Sequence, residues 1–323
     1  DLTPGHERTL FTRAPDFFSS EDALLVAGRL HKLDKPADAQ LSFWYGQVLL
    51  SLRSDWGAWP SGALLASDAA AYLAGQPQWH ALFTPTATRS LAGSTLLRHT
   101  VLLEVLDNVA GRLEEHRLDG DTWQRREVQA PFPGTLHAQS LHDTWVPDDP
   151  LGESYLLGYT DFLTPDSLLL GRVGSDQREP LKSRPAFFDA SGMRVEQRLA
   201  TLKDGTRVPY FVVWPKGATA DGDNPTLLYG YGGFEVPLQP QYSGGFGSAW
   251  YGRGGVQVVA NIRGGGEFGP AWHQAALKGK RQKAYDDFIA VAEDLIAQRI
   301  TNPRRLASQG GSNGGLLAPW TPA

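Results

Sequence analysis

The 323-residue sequence contains no cysteine and a single methionine. The absence of cysteine excludes disulfides, thiolate metal sites and a cysteine nucleophile, while leaving the redox compartment open. No apolar run approaches the roughly 18 residues that span a bilayer, and no signal-peptide pattern opens the chain. An excess of positive charge is also missing, since 30 Lys and Arg face 35 Asp and Glu for a formal net charge of -5. Neither nucleic acid nor an anionic membrane is therefore an expected partner. The one basic cluster, Lys278, Lys280, Arg281 and Lys283, opens an expected helix and reads as a solvated face. The eight histidines are scattered and form no H-E-x-x-H pair, and His137 with His142, the nearest two, give little support for a metal. No cofactor and no obligate protein partner are indicated. The expected location is cytoplasmic, and a chain that begins with Asp1 reads as processed or as a fragment.

What is present falls into two styles. The length favours roughly two domains of about 150 residues each. From residue 1 to 190 the chain reads as repeated short strands with turn punctuation, as in residues 23–36, 44–56 and 95–119, the last turning at Asp107 and Asn108. Residues 154–173 are two β-like runs around a Thr-Pro-Asp turn, and SDAAAYLAG (67–75) is the best short helix. Such a pattern predicts an all-β sandwich, barrel or propeller. After a turn-rich stretch at 184–193 the style changes. RVEQRLATL and TRVPYFVVWP form an expected antiparallel pair, and the strands in NPTLLYGYGGF and GGVQVVANIRGGGEFG each run into a glycine-rich loop. KAYDDFIAVAEDLIAQRI then places Tyr285, Phe288, Ile289, Ala292, Leu295 and Ile296 on one helical face. RLASQGGSNGG is a further strand entering a tight turn, and strand–helix–strand order implies a parallel sheet.

The chemistry concentrates in these loops. GGSNG (310–314) fits G-x-S-x-G, in which a serine on a sharp strand-to-helix turn projects its hydroxyl above the sheet. A glycine-rich turn is the plain alternative, but the preceding strand and helix supply the context that the pattern requires. Acyl transfer also needs oxyanion donors, and the N–H of Asn313 and the phenol of Tyr231 in YGYGGF are suitably placed in chain order. Gly264, Gly266 and Gly269 in NIRGGGEFG fall at G-x-G-x-x-G spacing, a weak signal by itself, and G-x-x-x-x-G-K-[ST] is absent, so nucleotide binding is not the favoured reading. Arg263 and Glu267 within it read as an ion pair ordering the loop, and His273 reads as structural rather than as a base.

LLYGYGGF, VVANIRGGGEFGPAWH, DDFIAVAEDLI and QGGSNGGLL occur in the order and spacing of the prolyl oligopeptidase family of serine peptidases, which residues 195–317 closely resemble. The resemblance implies a two-domain chain: a partial β-propeller over 1–190, then the N-terminal part of an α/β-hydrolase domain over 191–323. It further implies cleavage of short peptides after proline, with Ser312 as nucleophile, Tyr231 and the Asn313 N–H as oxyanion hole, and Phe234 near the proline pocket. A triad in α/β-hydrolase order needs Asp and then His after the serine, yet NGGLLAPWTPA contains neither. Pro319 and Pro322 also stand where the elbow helix should continue. The expectation is a fragment truncated after the elbow, inactive by itself, with an apolar unpaired strand before Ser312. The rival readings are an esterase or acylaminoacyl peptidase of the same fold, or a non-catalytic peptide-binding propeller protein.

Overall fold

The computed structural model describes residues 1–129, 134–146 and 148–317. Its first part consists of antiparallel meanders: three strands over residues 10–32, then four each over residues 40–83, 89–127 and 135–183. In every one the spatial order of strands follows chain order, so each sheet forms from one local stretch of sequence. These are blades of a β-propeller, and none of the sheets closes on itself. The expected hairpin near residue 108 is present but turns one residue later than predicted. Strands end at Asp107 and restart at Ala110, and Asn108 and Val109 take φ of 48° and 67°. A β-branched residue resists that conformation; here Val109 is fully buried beside Phe162 and Phe211, which offsets the strain. The short helix forms at Ala69–Leu73, with Asp68 Oδ1 accepting from the N–H of Ala71 at 2.8 Å.

The second part is a five-stranded mixed sheet in the order Arg194–Thr201, Arg207–Trp214, Val256–Ala260, Thr226–Gly230, Leu306–Gln309. The first two pairings are antiparallel and the last two parallel. The continuous apolar run VPYFVVW is buried on both sides, as such runs are when both sheet faces are covered. Tyr210, Val212 and Trp214 pack with Phe288, Val291 and Leu295 of the Gln282–Ala297 helix. Phe211 and Val213 point the other way, into a cluster with Val109 and Phe162 of the propeller part. The chain thus joins a propeller portion to the first part of an α/β-hydrolase domain.

Three expectations are corrected. The buried face of the Gln282–Ala297 helix is Ala284, Asp287, Phe288, Val291 and Leu295, while Ile296 is exposed. The face is rotated because Asp287 is drawn inward: it meets Arg263 Nη2 at 2.5 Å and accepts from the Arg263 N–H at 2.8 Å. Arg263 accordingly pairs with Asp287 and Asp204, not with Glu267. The Leu306–Gln309 strand is outermost among the described strands. Its alternating half-buried and exposed residues make it less apolar than expected. Pro319, Pro322 and the APWTPA tail lie outside the described residues. Among the described residues no helix is long and apolar enough to cross a membrane.

Candidate active site

Strands Thr226–Gly230 and Leu306–Gln309 run parallel, with Thr226 opposite Leu306 and Tyr229 opposite Gln309. Parallel neighbours deliver their C-terminal ends to the same side of a sheet, which is where open α/β sheets bind ligands. The loop after Gly230 and the turn after Gln309 therefore leave side by side, although 80 residues separate them in sequence.

The turn is sharp. Gly310 and Gly311 lead to Ser312, which has φ of 50° and opens a 3₁₀ helix over Ser312–Leu316. Left-handed backbone costs a non-glycine residue roughly 1–2 kcal/mol, and it is the strain that a serine on a strand-to-helix elbow carries. Two glycines make the turn possible. A Cβ at Gly310 would stand 1.9 Å from the carbonyl oxygen of Gly314, and one at Gly314 would stand 2.3 Å from that of Gly230. The elbow thus folds onto itself and onto the end of the neighbouring strand, leaving Ser312 exposed. The N–H of Asn313 lies in the first turn of the 3₁₀ helix, where N–H groups have no acceptor within the helix.

Of the four residues singled out from sequence, three converge directly. The side-chain Nδ2 of Asn313 donates to the carbonyl of Tyr231 at 2.7 Å, tying the elbow that carries Ser312 to the glycine-rich loop. In that loop Gly232, Phe234 and Glu235 take φ of 57°, 53° and 60°. The loop is held by Arg281, which donates to the Gly232 carbonyl, and by the Glu235 N–H, which donates to the Gly264 carbonyl at 3.3 Å. Phe234, the fourth, projects from the same loop; it is 51% exposed and meets Phe17 edge-on with ring centroids 5.8 Å apart. An exposed aromatic beside a candidate site suits an apolar portion of a ligand.

Sequence reasoning missed the residues behind this loop. Arg53, from the first four-stranded meander, contacts Glu235 and also donates to Nδ1 of His273 at 2.7 Å. An arginine only donates, so His273 Nδ1 is the acceptor. Burial, and then Arg53 and Arg281, lower the pKa of His273 to about 4, keeping the ring neutral. Glu267 is fully buried, accepting from the Leu238 N–H at 2.9 Å and from Asn261 Nδ2 at 3.3 Å. Contacts between residues some 180 or 220 positions apart leave no periodicity or motif to read.

Comparison with known proteins follows the same lines. Residues 242–323 match the model of the prolyl oligopeptidase family. A protein described as an uncharacterized peptidase from Sinorhizobium fredii is 41% identical over 317 residues, covering 94% of this chain and 43% of its own length. A prolyl endopeptidase from Elizabethkingia meningoseptica is 38% identical over 163 residues, half of this chain. Among solved structures, a post-proline cleaving enzyme from Rickettsia typhi superposes with a TM-score of 0.85 at 33% identity, over 98% of this chain and 47% of that one. The chain thus spans less than half the length of these relatives.

Proposed function

The chain belongs to the prolyl oligopeptidase family, and on that premise we propose that it carries the nucleophile half of a serine peptidase that cleaves short peptides after proline. The observation that supports this most is Ser312 held at φ 50° on a strand-to-helix elbow against the Tyr231 loop. In this reading Ser312 Oγ attacks the scissile carbonyl carbon and passes its proton to a general base, forming a tetrahedral oxyanion. The Tyr231 phenol and the Asn313 N–H donate to that oxyanion. Collapse expels the amine, which takes up the proton, and water then hydrolyses the acyl-enzyme. Phe234 takes the proline side of the substrate, a ring-on-ring contact suited to a rigid apolar residue. The relatives' names supply the proline preference; the exposed aromatic loop is compatible with it.

The domain boundary belongs to the same proposal: residues 1–190 as a partial propeller and 191–323 as the N-terminal part of the hydrolase domain. No Asp, Glu or His follows Ser312 in the sequence. Without a base a serine hydroxyl is a poor nucleophile at neutral pH, so this chain alone is proposed to be inactive.

A fluorophosphonate probe tests both parts. This chain alone should not be labelled. The same chain continued by the segment that follows the matched region in the Sinorhizobium fredii relative should be labelled at Ser312 and should hydrolyse proline peptides faster than aryl esters. Stoichiometric labelling of Ser312 in this chain alone refutes the inactivity. Absence of labelling in the extended chain refutes the nucleophile assignment.

A further inference from the structure

The proposed oxyanion loop is gripped from the propeller part by one side chain. Arg53 lies two residues beyond the Gln47–Ser51 strand. Its Nε and Nη2 donate to the same carboxylate oxygen of Glu235 at 3.0 and 2.7 Å, and Nη2 also donates to His273 Nδ1. The guanidinium lies 3.5 Å over the ring of Phe18, and the Arg53 carbonyl accepts from Gln274 Nε2 at 2.8 Å. The head group is thus held by three residues from both parts of the chain, and the Arg53 backbone by a fourth. Its partner Glu235 is itself strained, at φ 60°.

Desolvation offsets the attraction within this ion pair. Burial raises the pKa of Glu235 above the ordinary carboxylate value even though Arg53 opposes the shift. Desolvation therefore outweighs the pairing, as is common for ion pairs removed from water. What the pair does supply is geometry: a short contact from two nitrogens on a residue held in the left-handed region. Released there, the loop keeps the bonds at the Gly232 and Tyr231 carbonyls, those of the Glu235 and Val236 N–H groups, and the ring contact of Phe234 with Phe17.

We propose that Arg53 is a positioning residue for the oxyanion loop: by holding Glu235 it sets the place of Tyr231 relative to Ser312. The propeller part then completes the active site instead of only covering it. This rests on the role given to Tyr231 above, but its test does not depend on catalysis. 3-Fluorotyrosine at position 231 of this chain reports the phenol's surroundings through its ¹⁹F resonance, and amide exchange reports residues 232–236. In Arg53→Met the resonance should shift or split, and the Glu235 amide should exchange faster by about tenfold, a local opening. Amides of the Val256–Ala260 strand should not change. Arg53→Lys, which keeps the charge but not the fork, should resemble Arg53→Met. Glu235→Gln, which keeps the shape and loses the charge, should give a smaller change in the same direction and decides the matter if Arg53→Met does not fold. An unchanged resonance and unchanged loop exchange in these variants overturn the proposal. So does exchange that accelerates equally in the Val256–Ala260 strand, which would make Arg53 merely structural. Loss of Ser312 labelling in the extended chain is a separate outcome, counting against the peptidase reading alone.

Discussion

At Glu267 the protein keeps a carboxyl out of water with only amide donors beside it. Burial raises its pKa from 4.5 to about 7. The raised value makes the folded state the tighter proton binder. Its contribution to stability is complete below pH 4.5 and is lost as pH rises through about 7. Glu267→Gln keeps the shape and removes the titration. The variant should gain stability relative to the parent across that window, measured by urea unfolding at pH values from 4.5 to 7. A difference between the two proteins that does not vary with pH would show that Glu267 is not the titrating group. Ser312 is the complementary case at this scale, where the anomaly is in the backbone and not in charge: one residue at φ 50° turns a strand end into an exposed hydroxyl.

At the scale of the element, the elbow depends on a backbone approach that no side chain can enter. Replacing a helical glycine by alanine ordinarily stabilises by about 0.5–1 kcal/mol. At Gly314 the added Cβ would stand 2.3 Å from the Gly230 carbonyl oxygen, and that obstacle is main chain, unable to rotate away. Overpacking of this kind costs about 1–3 kcal/mol, so sterics should win. Gly314→Ala should lower the thermal midpoint and loosen the Asn313–Tyr231 contact, seen as faster amide exchange in residues 312–317. A stabilised variant would mean that the two strand ends move apart without penalty. The Gln282–Ala297 helix obeys a similar competition. Its hydrophobic periodicity alone would turn Ile296 inward, and the buried Arg263–Asp287 pair turns the other face in.

Across the whole molecule, the two parts share more than a linker. Val109 and Phe162 of the propeller portion sit in one apolar cluster with Phe211, Val213 and Val259 of the hydrolase sheet. Phe162 is buried and meets Phe211 edge-on at 5.6 Å. The Ser90 hydroxyl donates to the Glu267 carbonyl at 2.8 Å, and Arg53 reaches Glu235. A core phenylalanine removed to alanine costs about 3–5 kcal/mol. Because that cost falls on a shared cluster, Phe162→Ala should lower a single calorimetric transition for the entire chain. Two separate transitions, only one of them shifted, would show that the parts unfold independently.

Much of this was legible in the sequence because it is local. Alternating short strands with turn residues specified the strands of the meanders, each meander complete within one local stretch of chain. The runs RVEQRLATL and TRVPYFVVWP specified an antiparallel strand pair, and G-x-S-x-G after a strand specified the elbow at Ser312. The loop motifs named Tyr231, Asn313 and Phe234 before any geometry was known. The close match of motifs implied that these residues serve one site with Ser312, but not the contacts that join them. Tertiary structure alone decided that Asn313 Nδ2 bonds to the Tyr231 carbonyl, that Asp287 and not Glu267 receives Arg263, and that Arg53 closes on Glu235. The physical reason is the same in each case. A strand or a turn is fixed by interactions among near neighbours, whose spacing leaves a pattern in the sequence. A charge removed from water takes whichever partner the packed chain brings within about 3 Å, and sequence spacing holds no record of that choice.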